Sequence, residues 1–348
     1  MGTESATGAA DAEDDRRNVS DTAGVLVLGA CAAWSLITAG AHGGRPEGFL
    51  LAVLAVAAGY AAGRILGALL PVAAPAAGAL AGLGLALAAP HATAGPQVVT
   101  PPGDIGAIAA LLALSTGAAC CAAWAARFPA QRLALRSAAL GIAVVAAALG
   151  STTGLVASAG VLLCSLAADR MRHRALALSG LALVAVLVTG TTWAVAGNVV
   201  PNGLGSYLED QLGPHRVLLW RDALTLAHRD PGLGAGPGRF GELSPTAAQS
   251  LLPDAKPHSA PLQLAAEQGV TGAALLAAVF CWVLYALWRT GRPTPVALTG
   301  GATLTALAVI ASVGNALSFT AVTAGTGLLA GIATARPLAD EGGTRTQT

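Results

Sequence analysis

Charge is what this chain most lacks. Only 11% of its 348 residues are charged, less than half of the roughly 25% usual in soluble domains. That balance excludes an ordinary water-soluble domain. Aromatic residues are also scarce at 4%, and Ala, Leu, Val and Gly do the filling in a chain that is 54% hydrophobic. Such a composition belongs to a polytopic membrane protein whose small residues let helices approach closely. The net charge of +1 leaves no electrostatic footprint for nucleic acid. Cys31, Cys120, Cys121, Cys164 and Cys281 all lie inside apolar runs. No Cys-x-x-Cys and no Cys/His spacing occurs, so no disulfide-stapled loop, metal centre or cofactor is expected.

What is present is a series of membrane-length apolar runs. A bilayer core needs about 20 apolar residues per helix. Ten runs are candidates: 23–40, 48–69, 72–89, 104–126, 134–150, 152–168, 175–196, 269–288, 295–313 and 315–334. The expected fold is therefore all-α, a polytopic membrane bundle. About seven helices fall in 23–196 and about three in 269–334. Residues 1–22 carry Asp11, Glu13, Asp14, Asp15, Arg16 and Arg17 without an apolar period, and are expected to be disordered. Arg16–Arg17 and Leu28–Gly–Ala–Cys31 invite signal-peptide readings. The apolar run continues past Cys31 to Ala39, so a retained first transmembrane helix is expected instead.

Arginines set the orientation. With the N-terminus inside, the inner segments hold Arg16, Arg17, Arg64, Arg127, Arg132, Arg136, Arg170, Arg172, Arg174, Arg289, Arg292, Arg336 and Arg345, 13 of the 19 basic residues. The short outer loops hold only Arg45. The other five lie in 197–268, a long segment free to carry charge across. Both termini, with the tail 335–348, are expected to be cytoplasmic and 197–268 extracytoplasmic.

That long segment is a polar island. Residues 214–229 read as an amphipathic helix lying in the membrane interface. Val217, Leu219, Trp220, Ala223, Leu224, Leu226 and Ala227 share one half of the wheel; Arg221, Asp222, Thr225, His228 and Arg229 share the other, with Leu218 the exception. Arg216 projects into the apolar half, where a guanidinium needs either an anionic partner or a path to water. Pro231, Gly234, Gly236 and Gly238 form an irregular connection. It is neither a Walker A loop nor a dinucleotide fingerprint, which leaves a plain turn or a direct phosphate contact. Ser259 is a natural N-cap and Pro261 suits the first turn of a helix over 260–288. That helix exceeds a bilayer core, so Glu267 and Gln268 are expected in the outer interface. His258 then stands above the membrane surface at a positive helix end, which favours a neutral imidazole and attracts phosphate. It follows a cationic set in sequence, Arg216, Arg221, Arg239 and Lys256.

These residues together resemble the O-antigen ligase/polymerase family of integral-membrane glycosyltransferases. The family pattern places an Arg four residues before a Trp, here Arg216 and Trp220. A Pro-x-x-Gly-x-Gly-x-x-x-Phe stretch follows, here Pro231, Gly234, Gly236 and Phe240. His258–Ser259 takes the place of His-Asn, and Glu267–Gln–Gly269 that of Glu-x-Gly. The resemblance implies a helical bundle with an outer loop over an active site. It implies transfer of a glycan from an undecaprenyl-diphosphate-linked donor to a glycan or glycoconjugate acceptor, without a metal. It assigns His258 as base and Arg216 as diphosphate ligand, with Arg221, Arg239 and Lys256 as further cations. The chain departs from the pattern twice: Thr152 stands where the family carries an Arg, and Ser259 replaces Asn. The alternative reading is a non-catalytic scaffold or transporter of an envelope-polymer system. A transporter favours ionisable groups near the membrane midplane, and these runs carry none at their centres.

Overall fold

A computed structural model describes residues 3–92, 102–171, 173–200, 203, 211–249 and 256–336. Residues 201–202, 204–210 and 250–255 of the expected outer loop, and 337–348 of the expected tail, lie outside the described residues. Long helices run in chain order as α1 (Thr3–His42), α2 (Glu47–Leu69), α3 (Ala73–Ala92), α4 (Pro102–Ala125), α5 (Pro129–Ala148), α6 (Thr152–Ala167) and α7 (Arg174–Ala196). The island gives α8 (Pro214–Arg229) and two short helices, α9 (Phe240–Leu243) and α10 (Pro245–Gln249). The chain continues with α11 (Ala260–Arg289), α12 (Thr294–Val313) and α13 (Thr320–Thr334). No strand occurs among the described residues. Each of the ten expected apolar runs holds a helix, although in 315–334 the α-helix begins only at Thr320, after a 3₁₀ turn at Ala316–Ser318. Eight are long and apolar enough to cross a membrane, while Ala73–Ala88 and Thr320–Thr334 are shorter.

One expectation fails at the start. Residues 3–22 continue α1 rather than standing apart from it. Ala6, Ala9, Ala10, Ala12 and Glu13 are good helix formers, no proline interrupts them, and acidic residues suit a helix N-terminus.

The bundle is organised around α4 and α12. Ile105–Ala125 is 89% buried and Thr294–Val313 78% buried, whereas the other spans bury a third or less and turn leucines outward. Leu54, Leu80, Val156 and Leu176 are among these exposed side chains, as suits helices facing lipid. The closest pairing is α2 with α13. Gly59, Gly63 and Gly67 face Gly327 and Gly331 at Gly-x-x-x-Gly spacing. A Cβ at Gly63 would stand 2.2 Å from the Leu328 carbonyl oxygen, and one at Gly331 would stand 2.3 Å from that of Tyr60. Only glycine lets the two backbones meet.

The two ends of the bundle differ. At one end Arg292 donates to the carbonyl oxygens of Ala335 (2.5 Å), Gly67 (2.9 Å) and Ile332 (3.3 Å). Arg174 donates to those of Thr290 (2.7 Å) and Arg292, and Arg64 pairs with Asp21 at 2.9 Å. At the other end the α1–α2 loop meets the island, with Arg45 N donating to Pro237 O at 2.7 Å.

Candidate active site

Helix α8 follows its apolar period, but protein rather than lipid covers it. Val217, Leu219, Trp220, Ala223 and Leu226 are buried in one cluster with Val195, Phe240, Leu262 and Ala266. The expected interfacial placement is thus corrected. Periodicity marks an apolar face without naming its cover, and here α7, α9 and α11 provide it. Leu218 remains exposed, in keeping with its place off that face. Asp222, on the polar half, accepts from Ser244 Oγ (2.5 Å) and Thr246 N (3.0 Å), fixing α10 onto α8.

The glycine loop has a structural task. Helix α11 is interrupted at Gly269, whose φ of 70° and ψ of −171° are open essentially to glycine alone. The sequence reading had this helix unbroken. At the break, three successive carbonyl oxygens accept from outside the helix. Ala266 O takes Ala235 N (2.8 Å), Glu267 O takes Gly236 N (2.8 Å), and Gln268 O takes Trp34 Nε1 of α1 (2.9 Å). In return Val270 N donates to Pro231 O (2.9 Å). A Cβ at Gly234 would lie 2.5 Å from the backbone of Glu267 and Gly269. Pro231, Gly234, Gly236 and Gly269 therefore clasp a broken helix. The Gly234 N–H is also used, on Asp230 O (3.0 Å). Of the two readings left open, the turn prevails: these N–H groups are spent on backbone and are not offered to a phosphate.

Trp220 and Phe240, the aromatic members of the motif, are fully buried around this clasp. Glu267 is buried as well. Its carboxylate faces the backbone N–H groups of Gly238 and Phe240 and feels the charge of Lys256. Gln263 Nε2 lies 3.4 Å from it. Gln268 is wholly buried, and neither its Oε1 nor its Nε2 has a hydrogen-bond partner.

The expected cations divide. Arg239 is committed to structure: Nη1 donates to His42 O at 2.8 Å and Nε stands 3.8 Å from Glu242 Oε2. Arg216 is half-buried. Among the described residues no hydrogen bond or ion pair engages its guanidinium. Burial pushes Arg216 below the ordinary arginine range. Arg221 and Lys256 are both half-buried.

His258, expected beside the membrane surface at a helix end, is enclosed by protein. It is 7% exposed and holds a left-handed φ of 51°, a conformation costly for most side chains and less so for His, Asn or Asp. Ser259 takes the N-cap position of α11 without making the cap hydrogen bond, and its buried Oγ has no partner. Leu262, one turn on, packs in the cluster that holds Trp220. The α8 helix carrying Arg216 and the start of α11, just after His258, are thus neighbours. Thr152 is exposed in the first turn of α6, where Ser151 Oγ accepts from Gly154 N at 3.1 Å.

Sequence reasoning missed the contribution of α1. Trp34, His42 and Arg45 all reach the clasp, with His42 Nε2 lying 3.5 Å from Asp230 Oδ2. One signal was available: Arg45 is the sole charge of its sign in the short loops at this end.

Among the described residues no group of His, Cys, Asp and Glu could hold a metal ion. A family model described as O-antigen ligase matches residues 106–277. No curated protein and no solved structure matches the chain.

Proposed function

Because the chain belongs to the O-antigen ligase family, we propose that it transfers a glycan from an undecaprenyl-diphosphate-linked donor to an acceptor hydroxyl, as a ligase or a polymerase. The reaction runs at the outer face of the cytoplasmic membrane. One observation supports this best: Arg216 is a desolvated guanidinium that no anionic group pairs among the described residues. Its planar fork suits two phosphate oxygens.

In this reading the acceptor oxygen attacks the anomeric carbon of the donor sugar. The bond from that carbon to the diphosphate oxygen breaks, and undecaprenyl diphosphate leaves with both bonding electrons. Arg216 stabilises the charge growing on the leaving phosphate. Lys256 and Arg221 add positive potential. His258 takes the acceptor proton, and its strained left-handed backbone fits a functional position. Arg239 enters as a strut and not as a phosphate ligand, since its guanidinium is engaged with α1.

A second reading rests on Thr152, which stands where the resembling family carries an arginine. The chain would then bind lipid-linked glycan without transferring it. Purified protein, an undecaprenyl-diphosphate oligosaccharide and candidate acceptors separate the two. Transfer by wild type that is lost in Arg216→Ala supports the enzyme. Binding without transfer for every acceptor of the same envelope supports the second reading.

Orientation is part of the proposal. On a cysteine-free background, Gln249→Cys reacts with an impermeant thiol reagent in intact cells and Asp169→Cys does not. The reverse pattern overturns the outer placement. Cys164 and Cys281 are exposed, so they must be replaced first.

A further inference from the structure

At the end of the bundle opposite the island, α4, α5 and α6 enclose a cavity of about 280 Å³. Leu133, Leu140, Leu162 and Leu166 line it together with Trp124 and Arg136. Leu133, Leu140 and Leu166 are exposed, so the cavity opens on the lipid-facing surface. Trp124 is held from below: its Nε1 donates to Ser165 Oγ at 3.0 Å, and Thr299 Oγ1 donates to the same oxygen at 2.9 Å. Over the Trp124 ring lies Arg136, with Cζ 4.9 Å from the centroid.

Arg132 stands one turn before Arg136 on α5. Its Nη2 donates to Ala126 O at 3.2 Å, and its buried Nε has no partner. No ion pair engages Arg132 or Arg136 among the described residues. A tryptophan and an arginine lining an apolar slot, with a second arginine one turn away on the same helix, mark the depth at which lipid phosphates lie. The slot takes an alkyl chain, and the guanidinium groups take an anion.

We propose that this cavity binds an anionic phospholipid, one acyl chain in the slot between α4, α5 and α6 and its phosphate on Arg132 and Arg136. The site is independent of the transfer reaction and requires only that the bundle stand in a bilayer.

Trp124 reports on it directly. The full chain is placed in phosphatidylcholine nanodiscs that contain a minor fraction of acyl-brominated phosphatidylglycerol or of acyl-brominated phosphatidylcholine. Bromine quenches a tryptophan in contact with it. The Trp124 component is the difference from Trp124→Phe. The expected result is roughly fivefold stronger quenching of that component by the anionic lipid. Arg132→Gln with Arg136→Gln removes the preference, and the Lys pair keeps most of it. Ser137→Phe, which narrows the slot with both charges intact, reduces the quenching, and it decides alone if the Gln pair does not stay folded. Equal quenching by the two lipids overturns the proposal. So does a preference that survives both Gln substitutions. Loss of the preference on adding inorganic phosphate alone overturns it too, and makes this a site for free phosphate.

Discussion

Arg292 and Arg216 are both guanidinium groups withdrawn from water, at opposite ends of the bundle. Burial pushes both below the ordinary arginine range. Their surroundings differ. Arg292 is surrounded by the carbonyl oxygens of Gly67, Ile332 and Ala335, near the C-terminal ends of α2 and α13, where helix dipoles are negative. It needs nothing more. Arg216 has no such partner among the described residues. A desolvated cation that the fold saturates is a strut; one that the fold leaves unpaired is fitted to bind an anion.

The comparison breaks most sharply at Arg216. Arg216→Ala should lower glycan transfer on the order of 10²-fold or more while leaving the unfolding temperature unchanged. Arg216→Lys should be nearly as damaging, because the charge stays and the fork is lost. Next in size is Gly269→Ala. It places a side chain in a glycine-only conformation, with Cβ 2.6 Å from Pro231 O, and should cost about 3 kcal/mol of stability or more. Thermal unfolding in detergent reads this. Arg292→Ala should cost about 2–3 kcal/mol by leaving buried carbonyls unpaired, with transfer by the folded fraction near wild type. Smallest is Arg239→Ala. This partly exposed side chain holds His42 O, and its loss should cost about 1 kcal/mol with little change in transfer. A large loss of transfer in Arg239→Ala would move it from strut to ligand and blur the distinction.

Much of the fold was legible because hydropathy and arginine placement act on whole helices. Each of the ten runs holds a helix, the last of them starting five residues later than expected, at Thr320. The polar start of α1 was not legible as helix, because its composition allows helix without an apolar period to mark it. At the site, the wheel of α8 identified the correct buried face through Val217, Trp220 and Leu226. It misassigned the cover, since a period carries no information about the partner. The break at Gly269 was hidden because glycine is common inside membrane helices. Its partners lie well before it in the chain, at Gly234 and Gly236. His258 was read as standing at a helix end beside the membrane surface, and neither its burial nor its left-handed backbone was legible there. This bears on how it should be altered. Asn tolerates a left-handed backbone better than Ala. His258→Asn is therefore the cleaner variant for losing transfer without losing the fold.

Arg216 is proposed to hold the donor diphosphate. The most direct measurement is the affinity of the purified protein for undecaprenyl diphosphate in wild type and Arg216→Lys, with unfolding temperature followed in parallel. The expected result is affinity at least about tenfold weaker in the variant. The ligand should raise the unfolding temperature of wild type and not that of the variant, and the two unliganded proteins should melt together. Equal affinity in the two proteins would contradict the account and leave Arg216 without a part in binding the donor.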